Sequence, residues 1–118
     1  MSVALVTMVL AYAPGRPDGD VSDRIEMHVA LTPQGQPDEA AWFADPAPWT
    51  FRRMLPNGTE RPGEVVLEEG IWALRVWHSD DAPLWVMVGK VLRPGELVTL
   101  RRPTGEELVF RVVNVEAG

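Results

Sequence analysis

The sequence has no cysteine, which excludes disulfides, thiolate metal sites and cysteine nucleophiles and leaves the fold to be held by packing alone. Lys90 is the only lysine among the 11 basic residues, a bias that we interpret as that of a GC-rich bacterial genome. No glycine-rich phosphate loop and no G-x-S-x-G turn is present, so no signature of nucleotide binding or of serine catalysis is found. We therefore expect a chain without intrinsic enzymatic activity and without a cofactor.

Positive charge is also scarce. The chain has 17 acidic residues against 11 basic ones and a net charge of −6, which opposes attraction to nucleic-acid phosphates and to anionic membrane surfaces. No apolar run reaches the roughly 20 residues of a membrane-spanning helix. We expect no nucleic-acid partner and no membrane insertion.

An apolar run at residues 3–13 resembles the core of a secretory signal peptide, ending in a small-residue pattern. No lysine or arginine precedes it, however, and Pro14 would follow the cleavage point. We interpret the run as a buried first strand, apolar on both faces, and favour a cytoplasmic location.

Turn-forming residues are abundant, with 11 prolines and 10 glycines. Strong turn signals at 56–58, 69–70, 93–96 and 103–106 separate apolar segments at a spacing of about ten residues. Residues 24–31 alternate between apolar and polar side chains, which is typical of an antiparallel strand with one wet face. The chain is therefore predicted to be a single domain, residues 1–118, folded as an antiparallel β-sandwich of about seven to eight strands. A small β-barrel is the alternative, since it produces the same alternation.

Residues 37–43 are the main exception to the strand pattern. This segment has acidic residues at its start, contains Trp42 and Phe43, and precedes a further proline. Acidic residues in a first turn favour the helix dipole. The segment is predicted to form a single helical turn.

The hairpin at residues 67–76, LEEGIWALRV, resembles one that is common in transthyretin-like and collagen-adhesin B-type β-sandwich domains. The resemblance implies a seven- or eight-stranded sandwich that serves as a stalk, accessory or interaction module. Many adhesin domains carry a lysine in an early strand for an intramolecular isopeptide bond. The first strand here has no lysine, so that bond is not expected.

Two apolar segments, at residues 71–78 and 84–92, predict a functional surface. Counting alternation in each segment assigns five side chains to one sheet face, which are Ile71, Arg75, Trp77, Trp85 and Met87. Three covers for this face are possible: the segment with Trp42 and Phe43, a second protein surface, or a carbohydrate or other flat ligand stacked on the indoles. We predict a non-catalytic interaction or assembly module that forms a homo-oligomer or docks a protein partner through this face. A carbohydrate- or small-ligand-binding module using exposed tryptophans is the alternative.

Two groups of residues have the chemistry of metal ligands. Asp18, Asp20 and Asp23 lie within six residues, and carboxylates on a loop suit calcium, although a solvated acidic turn has the same composition. His28 and His78 are the only histidines, and together with the adjacent aspartates 80 and 81 they define a second alternative, a metal-dependent enzyme. Neither group has the spacing of a known metal motif, so no metal is predicted.

Overall fold

The structure, a computed structural model, describes residues 3–77, 84–89 and 91–117. These residues form eight β-strands and one short helix. Their order along the chain is β1 (Ala4–Tyr12), β2 (Asp20–Val29), α1 (Glu39–Ala44), β3 (Trp49–Met54), β4 (Glu60–Glu68), β5 (Ile71–Val76), β6 (Trp85–Val88), β7 (Leu97–Arg101) and β8 (Glu107–Glu116).

The strands form one closed antiparallel barrel in which each strand pairs with its neighbours in sequence. The barrel closes because β1 pairs with β8 as well as with β2, with Val9 opposite both Arg111 and Arg24. The predicted all-β antiparallel architecture with about eight strands is confirmed. Of the two arrangements considered, the closed barrel is present rather than the sandwich. A sandwich needs two separate sheets, whereas this sheet has no free edge.

One end of the barrel is covered by α1, which follows β2 and precedes β3. Asp38 caps the helix, since its carboxylate accepts a hydrogen bond from the Ala41 N–H at 3.1 Å. The indole N–H of Trp42 donates to the backbone carbonyl of Val65 at 3.1 Å, and its ring meets that of Trp72 edge-on. Trp72 in turn stacks on Trp49 with ring centroids 5.9 Å apart. The helix predicted for residues 37–43 is thus confirmed, and it closes the barrel through aromatic contacts.

The inner wall of the barrel contains one position where only glycine fits. Gly63 lies opposite Phe51 in the pairing of β3 with β4. A Cβ atom at Gly63 would lie 2.1 Å from the Arg75 carbonyl oxygen and 2.5 Å from the Phe51 ring, which is far inside van der Waals contact. Phe51 therefore packs directly over the glycine backbone.

No helix in the described part of the chain is long and apolar enough to cross a membrane.

Candidate functional site

The end of the barrel opposite α1 contains a cavity of about 440 Å³. It lies where β3, β5 and β7 end and where β4 and β8 begin. The apolar part of its wall is formed by eight side chains, which are Ile25, Phe51, Leu55, Leu74, Val76, Trp85, Leu100 and Leu108. Arginines and one glutamate complete the wall, which are Arg16, Arg53, Arg61, Arg102 and Glu106. We call this cavity the cup.

Three of these arginines occupy inward-facing positions in the alternation of their strands. Arg53 follows the buried Phe51 by two residues, Arg61 precedes Gly63 by two, and Arg102 follows the buried Leu100 by two. Side chains two residues apart in a strand share a face. All three positions are close to strand ends at the open end of the barrel. Their charged groups can therefore face the barrel interior without being sealed away from water.

A buried ion-pair cluster forms one side of the cup. Asp23 of β2 is completely buried, and its carboxylate accepts two hydrogen bonds from Arg53, from Nε at 2.9 Å and from Nη2 at 2.8 Å. Arg16 donates a third at 3.1 Å. Burying a carboxylate costs several kcal/mol unless it is paired and hydrogen-bonded. The two arginines meet that requirement, so Asp23 and Arg53 hold β2 and β3 together inside the barrel.

The guanidinium of Arg102 has fewer hydrogen-bond partners among the described residues than that of Arg53. Its guanidinium lies over the Trp85 ring, 4.1 Å from the centroid, which is a cation–π contact. Its nearest carboxylate oxygen, Oε2 of Glu106, is 3.6 Å from Nη1. The Nε atom is buried and has no hydrogen-bond partner among the described residues. Arg102 thus lines the cup and has one donor, Nε, without a partner among the described residues.

The cup is more positive than the molecule around it. Four guanidinium groups line it, while three carboxylates belong to it or pair with its arginines: Asp23, Glu106 and Asp20, which is 4.0 Å from Arg16. The local balance is one positive charge, in a chain of net charge −6. A cleft whose wall is partly apolar focuses the field of the charges that line it.

The five side chains predicted to share one face are divided between two faces. Ile71, Arg75 and Trp77 lie outside the barrel, whereas Trp85 and Met87 are only 5% and 6% exposed and lie inside it. The prediction of a single face is therefore wrong. The reason is the register of β5 and β6, in which Trp85 lies opposite the inward-facing Leu74. Alternation within each strand cannot fix that register.

Trp77 lies in a shallow groove on the outer surface, beside His28, Thr50 and Arg52. The His28 Nδ1 atom is 3.4 Å from the Thr50 hydroxyl. A hydrogen bond to Glu26, followed by the charges of Glu26 and Glu60, raises the pKa of Arg52 above its ordinary value. This groove is open and its surface is mainly apolar.

The candidate metal ligands do not come together. Asp18 is exposed in a turn, whereas Asp23 points into the barrel and is held by arginines. His28 lies on the outer surface of β2, and His78 is outside the described residues, as are the aspartates 80 and 81. In the part of the chain that is described, no group of three or more histidine, aspartate or glutamate side chains could hold a metal ion.

Among the residues that line the cup or bind its arginines, the sequence pointed to Trp85 as a contact residue and to Asp23 only as a metal ligand, although a signal for the charged residues exists. Asp23 is in phase with the predicted inward series Ile25, Met27 and Val29. A charged residue on the apolar phase of a strand is unusual, because burying it requires a partner. Arg53, Arg61 and Arg102 carry the same signal, but only tertiary structure shows that they converge.

Comparison of the chain with protein-family models, with curated proteins and with solved structures finds no match. The resemblance of the 67–76 hairpin to transthyretin-like and collagen-adhesin B-type domains stays a prediction.

Proposed function

We propose that this chain is a non-catalytic binding module that holds a small ligand in the cup. The observation that carries the proposal is the cavity of about 440 Å³ at the open end of the barrel. Its volume is within the range of roughly 300–1,000 Å³ that is usual for small-molecule sites, and its wall combines apolar side chains with a few polar groups. Eight-stranded barrels have an interior wide enough for one small ligand.

The two ends of the barrel differ in a way that supports this proposal. At the α1 end, Trp42, Trp49 and Trp72 pack against one another. At the other end, Trp85 contacts the Arg102 guanidinium and lines the cavity. Among the partners considered from the sequence, a small ligand is therefore favoured. The sequence suggested that exposed tryptophans would contact it, whereas in this proposal the contact is made by Trp85 inside the cup.

The test uses decan-1-ol, a neutral apolar probe, with binding measured by calorimetry and by the melting temperature. A ligand that binds only the folded state stabilises it by about 2.7 kcal/mol at a concentration of 100 Kd. We expect decan-1-ol to raise the melting temperature of the unchanged chain. Val76→Trp, which adds bulk at a half-buried position in the cup wall, should abolish that rise.

The matched control is Val113→Trp, which adds the same side chain at a position on β8 that is 46% exposed and lies outside both the cup and the outer surface of β5, β6 and β7. This variant should bind the probe as the unchanged chain does. Absence of binding to the unchanged chain, or equal binding by the two tryptophan variants, would exclude the cup as the site.

A second candidate function is self-association through the outside of the barrel. Ile71, Val88 and Leu97 lie on the neighbouring strands β5, β6 and β7, and each is 42–51% exposed. Contiguous exposed apolar side chains favour a protein contact. We propose a second copy of this chain as the occupant of this outer strip, which takes the place of the face predicted from sequence.

A further inference from the structure

We propose, on the basis of the ligand-binding function above, that the ligand is an amphipathic carboxylate carrying one negative charge and that Arg102 binds its carboxylate group. The proposal combines three properties of the cup: a wall that is apolar in part, an excess of one positive charge, and an arginine with a buried donor that has no partner among the described residues.

The apolar wall defines the body of the ligand. Leu74, Leu100 and Leu108 are buried side chains that line the cup. Apolar surface that is removed from water on binding contributes favourably in proportion to its area. The rest of the lining is charged, with arginines and Glu106, so a ligand that has an apolar body and one charged head group complements both parts of the cup. The body of the ligand is therefore apolar.

The charge balance defines the head group. Arg53 and Arg16 are already bound to Asp23, and their charges are partly neutralised by it. The net charge of the cup is +1, which matches one carboxylate. A phosphate monoester carries between one and a half and two negative charges near neutral pH, so it would leave the cup with an excess of negative charge. A cationic head group would meet repulsion.

The geometry of Arg102 identifies it as the residue that binds the head group. Nε and the adjacent Nη group lie on one edge of a guanidinium, and this edge matches the two oxygens of a carboxylate. In Arg102 the Nε atom is buried and unpartnered among the described residues. The 3.6 Å separation from Glu106 is longer than a hydrogen bond, and the Trp85 ring holds the guanidinium plane from one side. A carboxylate would supply the acceptor that Nε lacks once the side chain shifts to expose this atom, which is closed to solvent in the structure.

The experiment compares three probes that share a ten-carbon chain: decanoate, decan-1-ol and decyltrimethylammonium. Their dissociation constants are measured by calorimetry at pH 8, where decanoate is ionised. We expect decanoate to bind the unchanged chain at least tenfold more tightly than decan-1-ol, and decyltrimethylammonium to bind more weakly than either. This comparison needs no variant, so it does not depend on any substitution being tolerated.

Arg102→Gln tests the residue. It should remove the preference for decanoate, with a loss of about tenfold or more, and leave the affinity for decan-1-ol unchanged. Arg101→Gln is the matched control, because Arg101 is the adjacent residue, lies outside the barrel and donates from Nε to Glu107 at 2.6 Å. This control should change neither affinity.

The outcomes separate this proposal from the function on which it rests. If none of the probes binds, the ligand-binding function itself fails. If decan-1-ol binds as tightly as decanoate, or the cation binds best, the cup is a ligand site but not one for an anion. If decanoate is preferred and Arg102→Gln retains that preference, Arg102 is not the residue that binds the carboxylate.

Discussion

Among single residues, Asp23 has the most demanding environment in the described part of the chain. Its carboxylate is fully buried, while the Arg53 side chain that binds it is 15% exposed. A pair of this kind contributes little net stability compared with apolar residues of the same shape, but loss of one partner leaves the other charge buried and uncompensated. Removal of either Asp23 or Arg53 is therefore expected to destabilise the barrel.

Substitution of Asp23 tests this dependence. Asp23→Asn removes the negative charge while retaining the shape, and we expect it to lower the free energy of unfolding by about 3 kcal/mol because Arg53 loses its counter-charge. Glu26→Gln is the control, since Glu26 binds Arg52 at 2.8 Å on the outer surface, where such pairs contribute about 1 kcal/mol or less. Urea denaturation measures both. Equal losses in the two variants would mean that burial does not strengthen the dependence on Asp23.

Among the secondary-structure elements, α1 is too short to be stable as an isolated helix. It has six residues, and isolated helices shorter than about 12 residues are marginal in water. The Asp38 cap satisfies one of its first amide groups, and Trp42 attaches it to the barrel through the Val65 carbonyl. The helix forms because the barrel end provides a surface for it.

The cap can be tested separately from the packing. Asp38→Ala should lower the free energy of unfolding by about 1 kcal/mol, because the Ala41 amide loses its acceptor. Asp38→Asn should remain close to the unchanged chain, since asparagine caps helices as well as aspartate does. Thermal unfolding followed by circular dichroism distinguishes the two variants. A loss that is the same for alanine and asparagine would point to the charge of Asp38 rather than to its capping hydrogen bond.

For the whole molecule, the outer strip of Ile71, Val88 and Leu97 predicts a concentration-dependent dimer. The mass in solution, measured by light scattering over a tenfold or larger dilution, should be that of two chains at the highest concentration. Ile71→Asp should shift the mass to one chain without unfolding the barrel, because the position is half exposed and a charge there remains hydrated in the monomer.

The control for this prediction is Val21→Asp, at an exposed apolar position on β2. Four strand steps separate β2 from β6 around the closed barrel, so this variant lies on the opposite side and should keep the mass of the unchanged chain. A single-chain mass at every concentration would remove the self-association proposal and leave the ligand-binding proposal unaffected.

Much of the barrel could be predicted from local patterns in the sequence. The turns at 56–58 and 103–106 occur where turn residues placed them, the strand predicted at 24–31 overlaps β2 (Asp20–Val29), and the helical turn predicted at 37–43 overlaps α1 (Glu39–Ala44). These features depend on neighbouring residues, because the side-chain period of a strand and the backbone preferences of glycine and proline act over a few positions. The all-β class and the approximate number of strands follow from them.

The sequence by itself therefore determined which segments are strands, that they run antiparallel, and which side chains share a face within each strand. Tertiary structure alone decided that β1 pairs with β8, that Trp85 faces inward beside Leu74, and that Arg53, Arg61 and Arg102 line one cup. The physical reason is that alternation is a local property, whereas closure and register join residues far apart in the chain. A shift of one residue in register moves a whole strand's side chains to the other face.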